Sequence, residues 1–120
     1  MSDSCKIKRW DLLKRELNNL KPEEFIPIVE QHPDYILIDC RTAGEFDHSR
    51  LEGALHMDYF SYDFLDKMEA LDPEKTYLVY CRTGRRSVRT CMLMKNGGFK
   101  SVYNLDGGLV ALKEYDPAII

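Results

Sequence analysis

Two five-residue runs, Tyr35-Ile-Leu-Ile-Asp39 and Thr76-Tyr-Leu-Val-Tyr80, most restrict what this chain can become. Each is apolar almost without interruption, and each follows a turn-forming segment, His32-Pro33-Asp34 or Asp72-Pro73. A strand with one wet face alternates polar and apolar residues, whereas a continuous apolar run needs cover on both faces. Both runs therefore predict buried strands.

The segments between them read as helices. Residues 8–18 set Trp10, Leu13 and Leu17 at helical spacing among charges, predicting a short amphipathic N-terminal helix. Residues 1–19 are accordingly expected to form an N-terminal helical extension, and 20–120 the main domain. A second helix is expected from Pro22, with Pro27 kinking it or delaying its start. Ala43–Asp47 fits one helical turn and Gly53–Met57 a short strand. Phe64, Leu65, Met68 and Leu71 give helical spacing over 62–71, which ends at Asp72-Pro73. Ser87–Asn96 predicts a helix stopping at Gly97-Gly98, Ser101–Leu105 a further strand, and Asp106-Gly107-Gly108 a turn into a last helix reaching about Glu114. Strands alternating with helices predict an α/β domain, its central, mostly parallel sheet of about five strands flanked by helices on both faces. At 120 residues the chain suffices for one core.

Composition narrows the function classes. Hydrophobic residues make up 44% and charged residues 31%, as in ordinary globular proteins, and the net charge of -3 gives no reason to expect a nucleic-acid partner. No apolar stretch approaches the roughly 20 residues that cross a bilayer, and the N-terminus lacks the apolar centre of a secretory signal, so a cytoplasmic location is expected. The four cysteines, Cys5, Cys40, Cys81 and Cys91, form no C-x-x-C pair and so no zinc or thioredoxin signature.

Against that acidic balance, Arg82, Arg85, Arg86 and Arg89 crowd into the residues just after Cys81. A thiol at a strand end, beside arginines and the N-terminal amides of a helix, is favoured as thiolate. Gly84 supplies the backbone freedom that a nest of amides around the sulfur requires. Such a nest holds a phosphate, an arsenate or the terminal sulfur of a persulfide. Cysteine phosphatases carry C-x5-R; here Ser87 occupies the sixth step from Cys81, and Arg86 comes one step early. The tighter loop favours sulfur over phosphate.

Four ordered motifs then carry a resemblance. Leu37-Ile-Asp-Cys-Arg-Thr-Ala-Gly-Glu-Phe46 is similar to D-x-R-x-x-x-E-[FYW], Glu52-Gly-Ala54 to an x-G-A step, Val79-Tyr-Cys-Arg-Thr-Gly-Arg-Arg-Ser87 to Y-C-x-x-G-x-R-S, and the stretch 98–108 to G-[FY]-x-x-V-x-x-L-x-G-G. Over residues 20–115 the chain resembles the rhodanese-like sulfurtransferases in their single-domain form. That resemblance implies that Cys81 forms a persulfide and that residues Arg82, Thr83, Gly84, Arg85 and Arg86 cradle the transferred sulfur or its donor. It implies a small anionic sulfur donor, a thiol or cyanide as acceptor, with low-molecular-weight thiols or a redox protein among the thiols, and no metal or organic cofactor. The loop matches neither the thiosulfate pattern C-R-K-G-V-T nor the mercaptopyruvate pattern C-G-S-G-V-T. Glu45 stands where both two-domain classes carry an arginine that contacts substrate.

Asp39, Arg41 and Glu45, with Ser87, are expected to support the loop through hydrogen bonds. Cys91, in phase with Val88 and Met92, reads as core. Cys40 reads as packing, with a chemical link to Cys81 as the sharper alternative, and Cys5 as incidental. His32, His48 and His56 have no metal-site spacing. A phosphatase or arsenate reductase, a non-catalytic binding module and a redox sensor remain competing functions.

Overall fold

The computed structural model describes residues 9–31 and 34–120; Cys5 and His32 lie outside them. The described residues form helices α1 (Arg9–Arg15), α2 (Pro22–Gln31), α3 (Ala43–His48), α4 (Phe64–Glu69), α5 (Arg85–Asn96) and α6 (Gly108–Tyr115), interleaved with strands β1 (Asn18–Leu20), β2 (Tyr35–Asp39), β3 (Leu55–His56), β4 (Thr76–Tyr80) and β5 (Ser101–Leu105). One sheet holds all five strands in the order β1-β5-β4-β2-β3, and every neighbouring pair runs parallel. The two apolar runs are its adjacent central strands, β2 and β4, as their sequence demands.

Alternate residues of these strands enter opposite cores. Ile38, Tyr77 and Val79 face one layer with Phe64 and Met68 of α4 and Cys91 and Met94 of α5. Leu37, Leu78 and Tyr80 face the other, with Phe25 of α2 and Leu109 and Leu112 of α6. Burying each such side chain contributes roughly 1.5–3 kcal/mol, so the strands cannot shift by one residue without exchanging two matched layers.

The structure refines several element boundaries. The first helix stops at Arg15 rather than continuing to 18, because the Leu13 and Lys14 carbonyls accept from Glu16 and Leu17 in a tightened turn and Asn19 Nδ2 caps Lys14 O at 2.8 Å. The chain then forms β1, whose residues 19 and 20 lie on either side of the expected division into extension and domain. Nothing in Asn18-Asn19-Leu20 advertises a strand; pairing with β5 creates it. Helix α2 begins at Pro22 undelayed and contains Pro27. Helix α4 starts only at Phe64, leaving Tyr62 fully exposed.

At the carboxyl ends of β2 and β4, Asp39 stands opposite Tyr80. Asp39 is fully buried and accepts from Arg41 Nε and Nη2, the Arg41 amide and, at 2.7 Å, the Tyr80 hydroxyl. Arg41 also donates to the Ser49 carbonyl, and Tyr80 accepts from the Leu51 amide. This closed network ties β2 and β4 to the chain leading into β3. Asp39→Ala strands the Arg41 guanidinium without its carboxylate and should cost about 3–5 kcal/mol in urea unfolding; a loss under about 1 kcal/mol would mean that water reaches the site freely.

Candidate active site

One residue beyond the Asp39–Tyr80 pair come Cys40 and Cys81, so the strand register places two cysteines side by side. The Cys40 amide donates to Tyr80 O at 3.1 Å, which continues the ladder past the last assigned strand residue. Both cysteines are fully buried and join the same core layer.

After Cys81 the chain turns sharply. Gly84 takes φ +100°, a conformation unfavourable for residues with a Cβ, and α5 starts immediately after it. The turn brings the Gly84 and Ser87 amides to 3.1 and 3.4 Å from Cys81 Sγ, both donating to it. Ser87 Oγ lies 3.5 Å from the sulfur and donates to the Gly84 carbonyl at 3.0 Å. The positive end of α5 faces the sulfur as well.

The loop's outward side is clamped by α6. The Leu109 amide donates to Cys81 O and the Val110 amide to Arg82 O, at 2.9 and 3.0 Å. Gly108, with φ +63°, permits this approach: a Cβ there would lie 2.5 Å from Arg82 O and 2.6 Å from Cys81 O. With these carbonyls held by α6, the Gly84 and Ser87 amides stay on the sulfur. The sequence showed Gly107-Gly108 as a turn and gave no sign of this clamp, since it lies more than twenty positions from Cys81.

These contacts decide where the negative charge sits. The Cys81 thiol is lowered to about 5, first by its hydrogen bond with Cys40, against the opposing effect of burial, and then by the Ser87 hydroxyl and the Ser87 and Gly84 amides. Cys40 is pushed well up by burial and by the neighbouring Cys81, and Cys91 up by burial. The thiolate therefore forms at Cys81.

The arginines of the loop take different positions. Arg82, Thr83 and Arg85 are exposed. Arg86 points to Glu45, its Nη1 and Nη2 donating to the two carboxylate oxygens at 2.6 and 3.1 Å. That bond holds Glu45 far below its ordinary value, at about 2. Glu45 also closes a capping box with Thr42 at the start of α3. Hydrogen bonds, more than arginine charge, thus lower the Cys81 thiol, although Arg86 feels the thiolate electrostatically. Asp39, Arg41, Glu45 and Ser87 all take positions around the loop. His56 bonds the Arg41 carbonyl at 2.7 Å and stacks on Phe46, while His48 is exposed. Among the described residues no group of three or more His, Cys, Asp or Glu could hold a metal ion, and no helix is long and apolar enough to cross a membrane.

Two features at the mouth were not anticipated. Phe60 is 67% exposed and lies near the Arg86 guanidinium. A cavity of about 230 Å³ adjoins the loop, lined in part by Glu45, His48, Arg82, Val110 and Lys113. A larger cavity of about 470 Å³ involves Tyr35 at the opposite end of β2 from Cys40.

Because the folded thiol titrates below its unfolded value, protonation opposes both reactivity and folding as pH falls through about 5. Alkylation of Cys81 by iodoacetamide should stay flat from neutral pH down to about 6 and then fall about tenfold per unit below 5; a midpoint near 8.5, as for a free thiol, would contradict the amide nest. Gly108→Ala, by pushing the loop off α6, should move that midpoint up by about one unit or more. An unchanged midpoint in a folded Gly108→Ala variant would show that the clamp is dispensable.

Comparison with known proteins agrees with this geometry. The family model described as Rhodanese-like domain matches residues 21–115. The Bacillus subtilis protein named "Putative sulfurtransferase YtwF" is 36% identical over 83 residues, covering 69% of this chain and 78% of that protein. The tRNA uridine(34) hydroxylase of Corynebacterium urealyticum is 35% identical over 102 residues, covering 80% of this chain but only 34% of that protein, so the chain spans about a third of its length. A crystal structure of a rhodanese-like domain protein from Staphylococcus aureus superposes with a TM-score of 0.71 at 18% identity, covering 80% of this chain and 91% of that one. The parallel sheet, the cysteine at the end of β4 and the matched motifs make this chain a member of the rhodanese-like domain family.

Proposed function

We propose that the protein is a sulfurtransferase that carries sulfane sulfur as a persulfide on Cys81. The observation that supports this most is the Cys81 sulfur itself, lowered to about 5 and met by the Gly84 and Ser87 amides. The Cys81 thiolate attacks the outer sulfur of a small anionic donor. With thiosulfate, the S–S bond breaks, sulfite leaves with the electron pair, and Cys81 holds the extra sulfur. The amides 82–86 stabilise the negative charge on that sulfur, as fixed dipoles do in other anion holes. A thiolate or cyanide then attacks the outer sulfur, takes it, and returns Cys81 as thiolate, a good leaving group because its conjugate acid is strong.

Arg82, Thr83 and Arg85 stand exposed at the entrance, where they attract an anionic donor; Lys113 and His48 extend the polar lining of the adjoining cavity. Arg86 acts through Glu45, fixing α3 against α5, and Asp39 and Arg41 hold the strand ends beneath. The same Glu45 bond weakens the phosphatase reading, because both terminal nitrogens of Arg86 are already engaged. The hydroxylases match this chain over about a third of their length, and the reaction in their name is not carried over.

Incubation with thiosulfate, mercaptopyruvate or glutathione persulfide should add the mass of one sulfur atom to Cys81. Cyanide should remove it, and Cys81→Ser should never acquire it. A wild-type protein that stays unmodified with every donor would overturn the proposal, and Cys81-dependent hydrolysis of an aryl phosphate would restore the phosphatase alternative.

A further inference from the structure

Cys40 is the nearest unexplained chemical group. It follows β2 as Cys81 follows β4, one step beyond the Asp39–Tyr80 register pair, and both side chains enter the same layer. Neighbouring positions in a parallel pair lie about 4.8 Å apart. Disulfides join Cα atoms about 4.4–6.8 Å apart, so the pair lies within bonding reach without a backbone rearrangement. The Cys40 thiol has two acceptors, the Tyr80 carbonyl at 3.3 Å and the Cys81 sulfur. It is fully buried, as Cys81 is, and Cys81 is its immediate neighbour.

We propose that Cys40 resolves the Cys81 persulfide, giving the protein a second activity, the reductive release of sulfane sulfur as hydrosulfide. The Cys40 sulfur attacks Sγ of Cys81, the inner atom of the persulfide. A Cys40–Cys81 bond forms, the bond from Cys81 to the outer sulfur breaks, and that sulfur departs as HS⁻ with the electron pair. The two cysteine sulfurs are oxidised to a disulfide and the sulfane sulfur is reduced to sulfide; the Cys40 proton is released or taken up by the hydrosulfide. An external dithiol reductant of the small redox-protein class then restores both thiols by exchange. Burial holds Cys40 mainly as thiol, so the internal attack is slow enough for an external acceptor to compete. The partition between transfer and release then depends on acceptor concentration.

This inference rests on the persulfide reading, and two loading reagents separate the two. Full-length wild type, Cys40→Ala, Cys40→Ser and Cys91→Ala, each checked for folding by circular dichroism, are treated with thiosulfate or with one equivalent of methyl methanethiosulfonate. The second reagent places a methyl disulfide on Cys81 without any sulfur-donor chemistry. Peptide mapping follows the Cys40–Cys81 linkage, and a sulfide probe follows HS⁻. Wild type and Cys91→Ala should form the linkage from either reagent and, from thiosulfate, release one hydrosulfide per linkage. The Cys40 variants should keep the persulfide or methyl disulfide roughly tenfold longer or more. Loss of the Cys40 hydrogen bond also raises the Cys81 thiol, but that change alone produces no linkage. A wild-type methyl disulfide or persulfide as durable as in the Cys40 variants, or a linkage to Cys91 instead, would overturn the inference. Linkage from the methyl disulfide with no sulfur loading from any donor would sink the sulfurtransferase reading and retain the resolving pair. Loading without linkage would sink the resolving pair alone.

Discussion

The structure depends on the side-by-side register of β2 and β4. Pairing Asp39 with Tyr80 closes a buried hydrogen-bond network at the strand ends and, one residue later, sets Cys40 against Cys81. The apolar residues behind that pair, Leu37 and Ile38 against Leu78 and Val79, divide between two core layers. A slip by one residue would reverse both layers and separate the cysteines. Folding energy and chemistry are therefore fixed by the same alignment.

On that base the active loop is built mostly from backbone. Gly84 permits the turn, α5 supplies amides from inside, and α6 holds the Cys81 and Arg82 carbonyls from outside. Amides fixed by a helix on each side do not need to reorganise as charge builds on a sulfur. The Arg86–Glu45 pair joins α5 to α3 and thereby couples the loop to the capping box at Thr42.

Much of this was legible in the sequence because it is local. Uninterrupted apolar runs required covered strands, and the glycine at 84 after a strand-end cysteine pointed to an unusual backbone. What stayed hidden depends on distant partners. Asn18–Leu20 becomes a strand only because β5 offers an edge. Gly108 matters because α6 packs its backbone onto Arg82, and no pattern near Cys81 announces that. The partner of Arg86 was also hidden: Glu45 lies forty-one positions away, and no local pattern pairs the two. Cys40 read as packing, with a link to Cys81 as the alternative; the register shows it both buried in the core and beside Cys81.

The central claim is that negative charge rests on Cys81, held by hydrogen bonds from Cys40 and the Ser87 hydroxyl together with the Gly84 and Ser87 amides. Amide proton and nitrogen resonances of Gly84 and Ser87, followed by NMR as pH is lowered, measure those donors directly. Both should shift together with a midpoint near 5 and stay still in Cys81→Ser. Resonances that ignore the Cys81 titration, or a midpoint near the free-thiol value of about 8.5, would contradict the account.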